Sequence, residues 1–345
     1  MDSRPTAPLI RACALAATIV AVGWAIAGPV AGAGVAPRAE AASAMTAGTA
    51  QDATRISPRS ARRARARAVA RRRARLRRQG SSRSGARFAL DGPRGIRVAR
   101  NLPYGPLGPT LDVYRRAGAS RPAAAVLVVH GGGWGGGGKG RMAPVSLALA
   151  RSGFVAVNVG YMLATSWAAG FPRQPLQLGS AVRWIRRNAD RLGVDPRRIG
   201  ALGSSAGAHL ASLHAMRGEG PLTRGTRVAA VVGWSAPVDL PAIAGHHLLG
   251  PAARTFVGCS MRTCPERWTA ASPVTHVSPD DPPMLIVNSL REMIPVTQAE
   301  RMAEGLSGAS VPSKLWLLEG HRHARDYQRT VLDGSLAFLR RWLLY

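Results

Sequence analysis

From about residue 95 onward, short apolar runs alternate with turn residues and with longer stretches of helical period. Residues 96–99 and 111–114 read as an opening pair of strands. Residues 123–129 are apolar at every position, the pattern of a strand buried on both faces. Further short apolar runs at 154–159, 198–202, 228–232, 284–287 and 314–318 are bounded by turn residues and read as strands as well. Between them, 182–192 has the spacing of an amphipathic helix, and 206–216 is rich in helix formers and ends near Gly218. A closing helix is expected over 324–343. Strands alternating with helices define an α/β fold with a mostly parallel central sheet and helices on both faces.

Composition divides the 345-residue chain into three parts. Residues 1–44 begin with Arg4 and Arg11, continue through an Ala/Gly-rich apolar run broken at Gly28-Pro29, and reach small-residue triplets such as Ala42-Ser43-Ala44. That is the layout of an export signal or an N-terminal anchor. Residues 45–87 form an Arg/Ala-rich linker with fourteen arginines between Arg55 and Arg87 and no other charged type there. Self-repulsion and the lack of an apolar stripe argue for disorder. Residues 88–345 hold seven of the eight tryptophans and enough apolar residues for one large core.

The formal charge of +29 favours adhesion to polyanions. No aromatic residue interleaves with the arginines to stack on bases, so an anionic cell-surface polymer is the expected partner of residues 55–87, and a specific nucleic-acid partner is not. In an exported chain, the closely spaced Cys259 and Cys264 are expected to form a disulfide.

The candidate chemistry centres on Gly203-Ser204-Ser205-Ala206-Gly207, between the strand at 198–202 and the helix at 206–216. A serine at such a corner is lifted above the sheet, and the helix start leaves unpaired N–H groups beside it. Upstream, His130-Gly131-Gly132-Gly133-Trp134 follows a strand directly, so its glycines can bring backbone N–H groups close to a ligand. A general base should come late in the chain, and both His321 and His323 follow the last strand. A carboxylate should orient it, and Glu292 and Asp239 each follow a strand at a suitable place.

These ordered motifs resemble the α/β-hydrolase esterases and lipases that carry an HGGGW oxyanion turn, the hormone-sensitive-lipase-like and feruloyl-esterase-like group. The resemblance spans about residue 111 to the C-terminus and includes 195–210, 271–277, 282–287 and Glu319-Gly320-His321-Arg322-His323-Ala324. It implies Ser205 as nucleophile, His323 as base, and an oxyanion hole made by the N–H groups of Gly132, Gly133 and Ala206. The acid loop departs from the family pattern: it is one residue short, so that either Glu292 or Arg291 falls at the acid position. A cation cannot orient an imidazolium, which leaves Glu292. Met162 and Gln177 also stand where the family usually has Arg and Asp.

The expected function is that of a secreted serine carboxylic-ester hydrolase acting through an acyl-enzyme on a small or medium ester, with no metal or organic cofactor. Segment 236–283 is expected to cover the pocket, with Trp134, Trp167 and Trp234 as candidate lining residues. A different class of reading makes the domain a weak or inactive scaffold, with the Arg-rich arm as its adhesive part.

Overall fold

The computed structural model describes residues 95–105 and 108–344. The expected export segment 1–44, the linker 45–87 and their boundaries lie outside the described residues. Eight strands among the described residues form one sheet: β1 (Ile96–Pro103), β2 (Thr110–Arg116), β3 (Ala123–Val129), β4 (Val155–Val159), β5 (Val194–Ser204), β6 (Val231–Trp234), β7 (Met284–Ser289) and β8 (Ser313–Leu318). Their order is β1-β2-β4-β3-β5-β6-β7-β8. The first two strands pair antiparallel, β2 pairs antiparallel with β4, and every later pair is parallel.

The uninterrupted apolar run of β3 has a simple cause. Ala125, Leu127 and Val129 join the apolar cluster on one face of the sheet, while Ala124, Val126 and Val128 join the cluster on the other. Helices α1 (Ala143–Arg151) and α7 (Gln328–Leu343) cover one face. Helices α2 (Arg173–Arg187), α3 (Ala206–Met216) and α6 (Val296–Gly308) cover the other. The shorter α4 (Leu249–Val257) and α5 (Pro265–Ala270) lie in the segment between β6 and β7.

Some element bounds differ from the sequence expectation. The helix expected at 182–192 begins at Arg173, because prolines 172 and 175 fall at its N-terminal end, where a missing N–H is tolerated. It stops at Arg187, and 189–192 forms a separate turn. Strand β6 starts at Val231 rather than 228, although Ala229 N–H already donates to Ile199 O across the gap at 2.7 Å.

Parallel strands place their C-terminal ends along one edge, the usual location of a site in open α/β sheets. His130 follows β3, Ser205 follows β5, Ser235 follows β6, Glu292 lies beyond β7 and His323 beyond β8. Residues far apart in sequence are thereby brought to one edge.

Candidate active site

Ser205 occupies the corner between β5 and α3 with φ 56° and ψ −124°, a conformation that non-glycine residues rarely adopt. The flanking glycines are required by contact. A Cβ on Gly203 would lie 2.3 Å from Gly207 O, and one on Gly207 would lie 2.4 Å from His130 O. The corner is pinned by Ser205 N–H donating to Trp234 O at 2.7 Å. Ala206, the first residue of α3, carries an N–H that no intrahelical carbonyl can reach.

The glycine turn after β3 packs directly against this corner: a Cβ on Gly131 would stand 3.1 Å from the Ser205 Cβ. Gly132 and Gly133 have φ of 128° and 56°, and the turn is closed by Gly136 N–H donating to Gly132 O at 2.8 Å. Among the described residues, the N–H groups of Gly132 and Gly133 have no acceptor. Two backbone donors next to a half-buried serine make a site for a developing oxyanion.

Glu292 and His323 are brought together. His323 Nδ1 is hydrogen-bonded to Glu292 Oε2, and the Glu292 side chain is wholly buried while about a quarter of the imidazole remains accessible (23%). The second carboxylate oxygen accepts Ser289 N–H at 2.9 Å and the Ser235 hydroxyl at 2.6 Å. With Nδ1–H donating to the carboxylate, Nε2 is left as the free base. Arg291 N–H donates to Gly320 O at 3.0 Å, with its side chain exposed, so the shortened loop turns Arg291 out and Glu292 in. Asp239 is engaged elsewhere, in an ion pair with Arg301 and a hydrogen bond from Ala242 N–H.

A cavity of about 260 Å³ is lined by Gly132, Gly133, Ser205, Met293, His323 and Arg325. Ser205 and His323 face this cavity without a hydrogen bond between them; such contacts commonly tighten only once substrate is bound. His321 is exposed.

Two other histidines, His209 and His130, serve the framework. His209 accepts Trp134 Nε1–H at Nδ1 and donates from Nε2 to Ala271 O, and burial lowers its pKa to about 4. His130 stacks on Tyr161, and its pKa is also lowered, mainly by burial. Gln177 Oε1 accepts Met162 N–H at 2.9 Å, so the amide that replaces the usual Asp still serves as an acceptor for that loop.

The structure corrects the expected pocket lining. Trp134 is buried against Phe256 and His209, Trp234 lies in the cluster on the opposite face of the sheet, and Trp167 is 93% exposed. None of the three lines the cavity, whereas segment 236–283 approaches its rim: a Cβ on Gly133 would stand 3.7 Å from the Ala252 Cβ. The tryptophans' large apolar area satisfied the composition of a pocket, but the sheet's two faces dispersed them. Cys259 and Cys264 are disulfide-bonded, with Cα atoms 6.3 Å apart.

Ser235, Ser289 and Tyr327, which surround the Glu292–His323 pair, carried no motif. Ser235 and Ser289 stand at or just beyond the C-terminal ends of central strands, and that position was the only signal available.

A mostly parallel sheet with a serine corner, a glycine turn and a late histidine defines an α/β hydrolase. The BD-FAE family model matches residues 111–306, and the chain belongs to that family. Esterase LipQ of Mycobacterium tuberculosis is 30% identical over 253 residues, covering 69% of this chain and 59% of that protein. The chain therefore spans about three fifths of this curated relative's length. Among solved structures, Thermogutta terrifontis esterase 2 is 25% identical with a TM-score of 0.56, covering 67% of this chain and 89% of that one. A truncated carbohydrate esterase from gut microbiota is 21% identical with a TM-score of 0.60, covering 68% and 91%, and supports the fold.

Proposed function

We propose that the chain is an exported serine carboxylic-ester hydrolase that acts through an acyl-enzyme on small or medium esters. The observation that carries this reading is His323, hydrogen-bonded to Glu292, lining one cavity with Ser205 and with Gly132 and Gly133, whose N–H groups have no acceptor among the described residues. His323 Nε2 takes the Ser205 proton as Oγ attacks the ester carbonyl. The carbonyl oxygen becomes an oxyanion held by the N–H groups of Gly132, Gly133 and Ala206. The C–O bond to the alcohol then breaks, and His323 returns the proton to the departing oxygen. Water, deprotonated by the same imidazole, attacks the acyl-enzyme and releases the acid and Ser205. Residues 55–87 hold the exported protein on anionic surface polymer.

Thermogutta terrifontis esterase 2 is phosphorylated by paraoxon. The same reagent is expected to inactivate this chain stoichiometrically, with peptide mapping finding the adduct on Ser205. Ser205→Ala should lower kcat on p-nitrophenyl acetate by about 10⁴-fold or more and abolish labelling. A parent that turns over no ester across acyl lengths from acetate upward overturns the reading and returns the adhesive-scaffold alternative.

A further inference from the structure

Ser235 stands just beyond the end of β6, fully buried and with φ 53°. Its hydroxyl is where the acid loop and the histidine loop meet. The Glu292 carboxylate can only accept, so at 2.6 Å the single Ser235 proton goes to Glu292 Oε1. The Ser235 oxygen then accepts Ala324 N–H at 2.9 Å and lies 2.7 Å from the Tyr327 hydroxyl oxygen. The Ser235 hydroxyl thereby joins the acid loop, the histidine loop and Tyr327. The Tyr327 hydroxyl donates to Val287 O at 3.1 Å, sharing its one proton between that carbonyl and Ser235 Oγ, and the same carbonyl accepts Ser235 N–H at 2.7 Å. Burial, with a contribution from the Glu292 charge, raises the Tyr327 phenol well above its ordinary pKa, so it remains a donor.

A second serine completes the arrangement. Ser289 at the end of β7 gives its N–H to Glu292 Oε1 and its hydroxyl to Arg322 O at 2.6 Å. The two residues flanking His323 are therefore each held by a serine hydroxyl from a neighbouring strand end: Arg322 through its carbonyl and Ala324 through its N–H. The same two serines hold the carboxylate. Acid and base are fixed to one frame, although they belong to different loops.

The geometry points to Ser235 as a positioning residue for the proposed ester hydrolysis: its hydroxyl sets the Glu292 carboxylate and the His323 backbone in register, backed by Tyr327. This inference rests on the proposed function, because it assigns Glu292 and His323 their roles. The shortened acid loop gives the device its purpose. A glutamate has one more rotatable bond than an aspartate, and the Ser235 and Ser289 donors fix the oxygen that does not face the histidine. Of the charged groups around the imidazole, Glu292 is bonded to it, and Arg141, Arg325 and Asp326 line the same cavity, while the Tyr327 phenol contacts Ser235 behind the pair.

Ser235→Ala in the full chain removes the hydroxyl while leaving a residue with the same left-handed backbone demand. With p-nitrophenyl acetate, kcat should fall on the order of 100-fold, and KM should stay within about threefold of the parent. The acid limb of the pH–kcat/KM profile should move upward by about half a pH unit, because a carboxylate that has lost a donor holds the imidazolium proton more tightly. Tyr327→Phe, which keeps the ring volume, should lower kcat about fivefold. Parent-like kcat and acid limb in a folded Ser235→Ala protein overturn the proposal. If that variant does not fold, parent-like kcat in Tyr327→Phe overturns it. The imidazole Nδ1–H resonance of His323 in ¹⁵N-labelled protein reads the same contact without turnover. A parent inactive on every ester defeats the hydrolase reading, whereas an unchanged resonance in Ser235→Ala defeats the positioning role alone.

Discussion

At the scale of single residues, Glu292 is the informative position. The sequence places Arg291 and Glu292 side by side in a loop one residue shorter than the family pattern; in the fold Arg291 N–H donates to Gly320 O, the Arg291 side chain is exposed and that of Glu292 is buried. The buried carboxylate then receives donors on both oxygens, from His323, Ser289 and Ser235. Glu292→Gln should keep the shape but lose the charge that stabilises the imidazolium, lowering kcat by about 10³–10⁴-fold. Asp239→Asn should leave kcat within about twofold, since that side chain pairs with Arg301 on the surface, where such pairs contribute little. Steady-state rates of the two variants against the parent check the assignment. Full activity in Glu292→Gln with loss in Asp239→Asn would reverse it.

At the scale of elements, α3 is the central one. All eleven of its residues are buried, including the polar His209, Ser212 and His214, so it lacks the exposed face of a surface helix. Two of its residues are histidines, His209 and His214, each donating from Nε2 to a carbonyl and each lowered by burial to about 4. The unfolded chain binds protons on both near the ordinary value of about 6.5, so lowering the pH from there favours unfolding. The stabilising contribution is complete above pH 6.5 and is lost as the pH falls toward 4, by about 3 kcal/mol per histidine as an order of magnitude. Thermal melts should show Tm falling across that window, and less steeply in His214→Gln, whose amide can still donate to Thr226 O. A parent Tm flat from pH 7 to pH 4 contradicts this account.

At the scale of the whole molecule, the proposed export and the proposed surface adhesion can be tested together. Fourteen arginines crowd residues 55–87, and the bonded Cys259 and Cys264 fit an oxidising environment. Expressed as the full chain in an exporting host, the protein should be recovered outside the cytoplasm with both cysteines bonded, and salt should release it from the cell envelope as screening weakens its adhesion. Recovery from the cytosol with free thiols at those two positions would contradict export.

Much of this organisation was legible in the chain. The apolar runs marked the strands because a parallel strand buried on both faces has no polar position, and the glycines around Ser205 marked the corner because a Cβ at either would strike backbone. His323 was singled out by its place after the last strand and by the family pattern. The alternative that remained, Glu292 or Asp239, was a matter of which side chain turned inward, and local sequence carries little about that. The tryptophans illustrate the same limit: an apolar side chain suits a pocket, a core or an exposed turn equally well by composition. Sequence by itself determined the layers and the chemical types at the sheet edge, since these follow from periodicity and from steric demands within a few residues. Only the tertiary structure decided that Ser235, Ser289 and Tyr327 converge on Glu292 and His323. Apart from the local bond from Ser289 N–H to Glu292, their contacts are hydrogen bonds between residues tens of positions apart, and such bonds depend on how the sheet is ordered rather than on any local pattern.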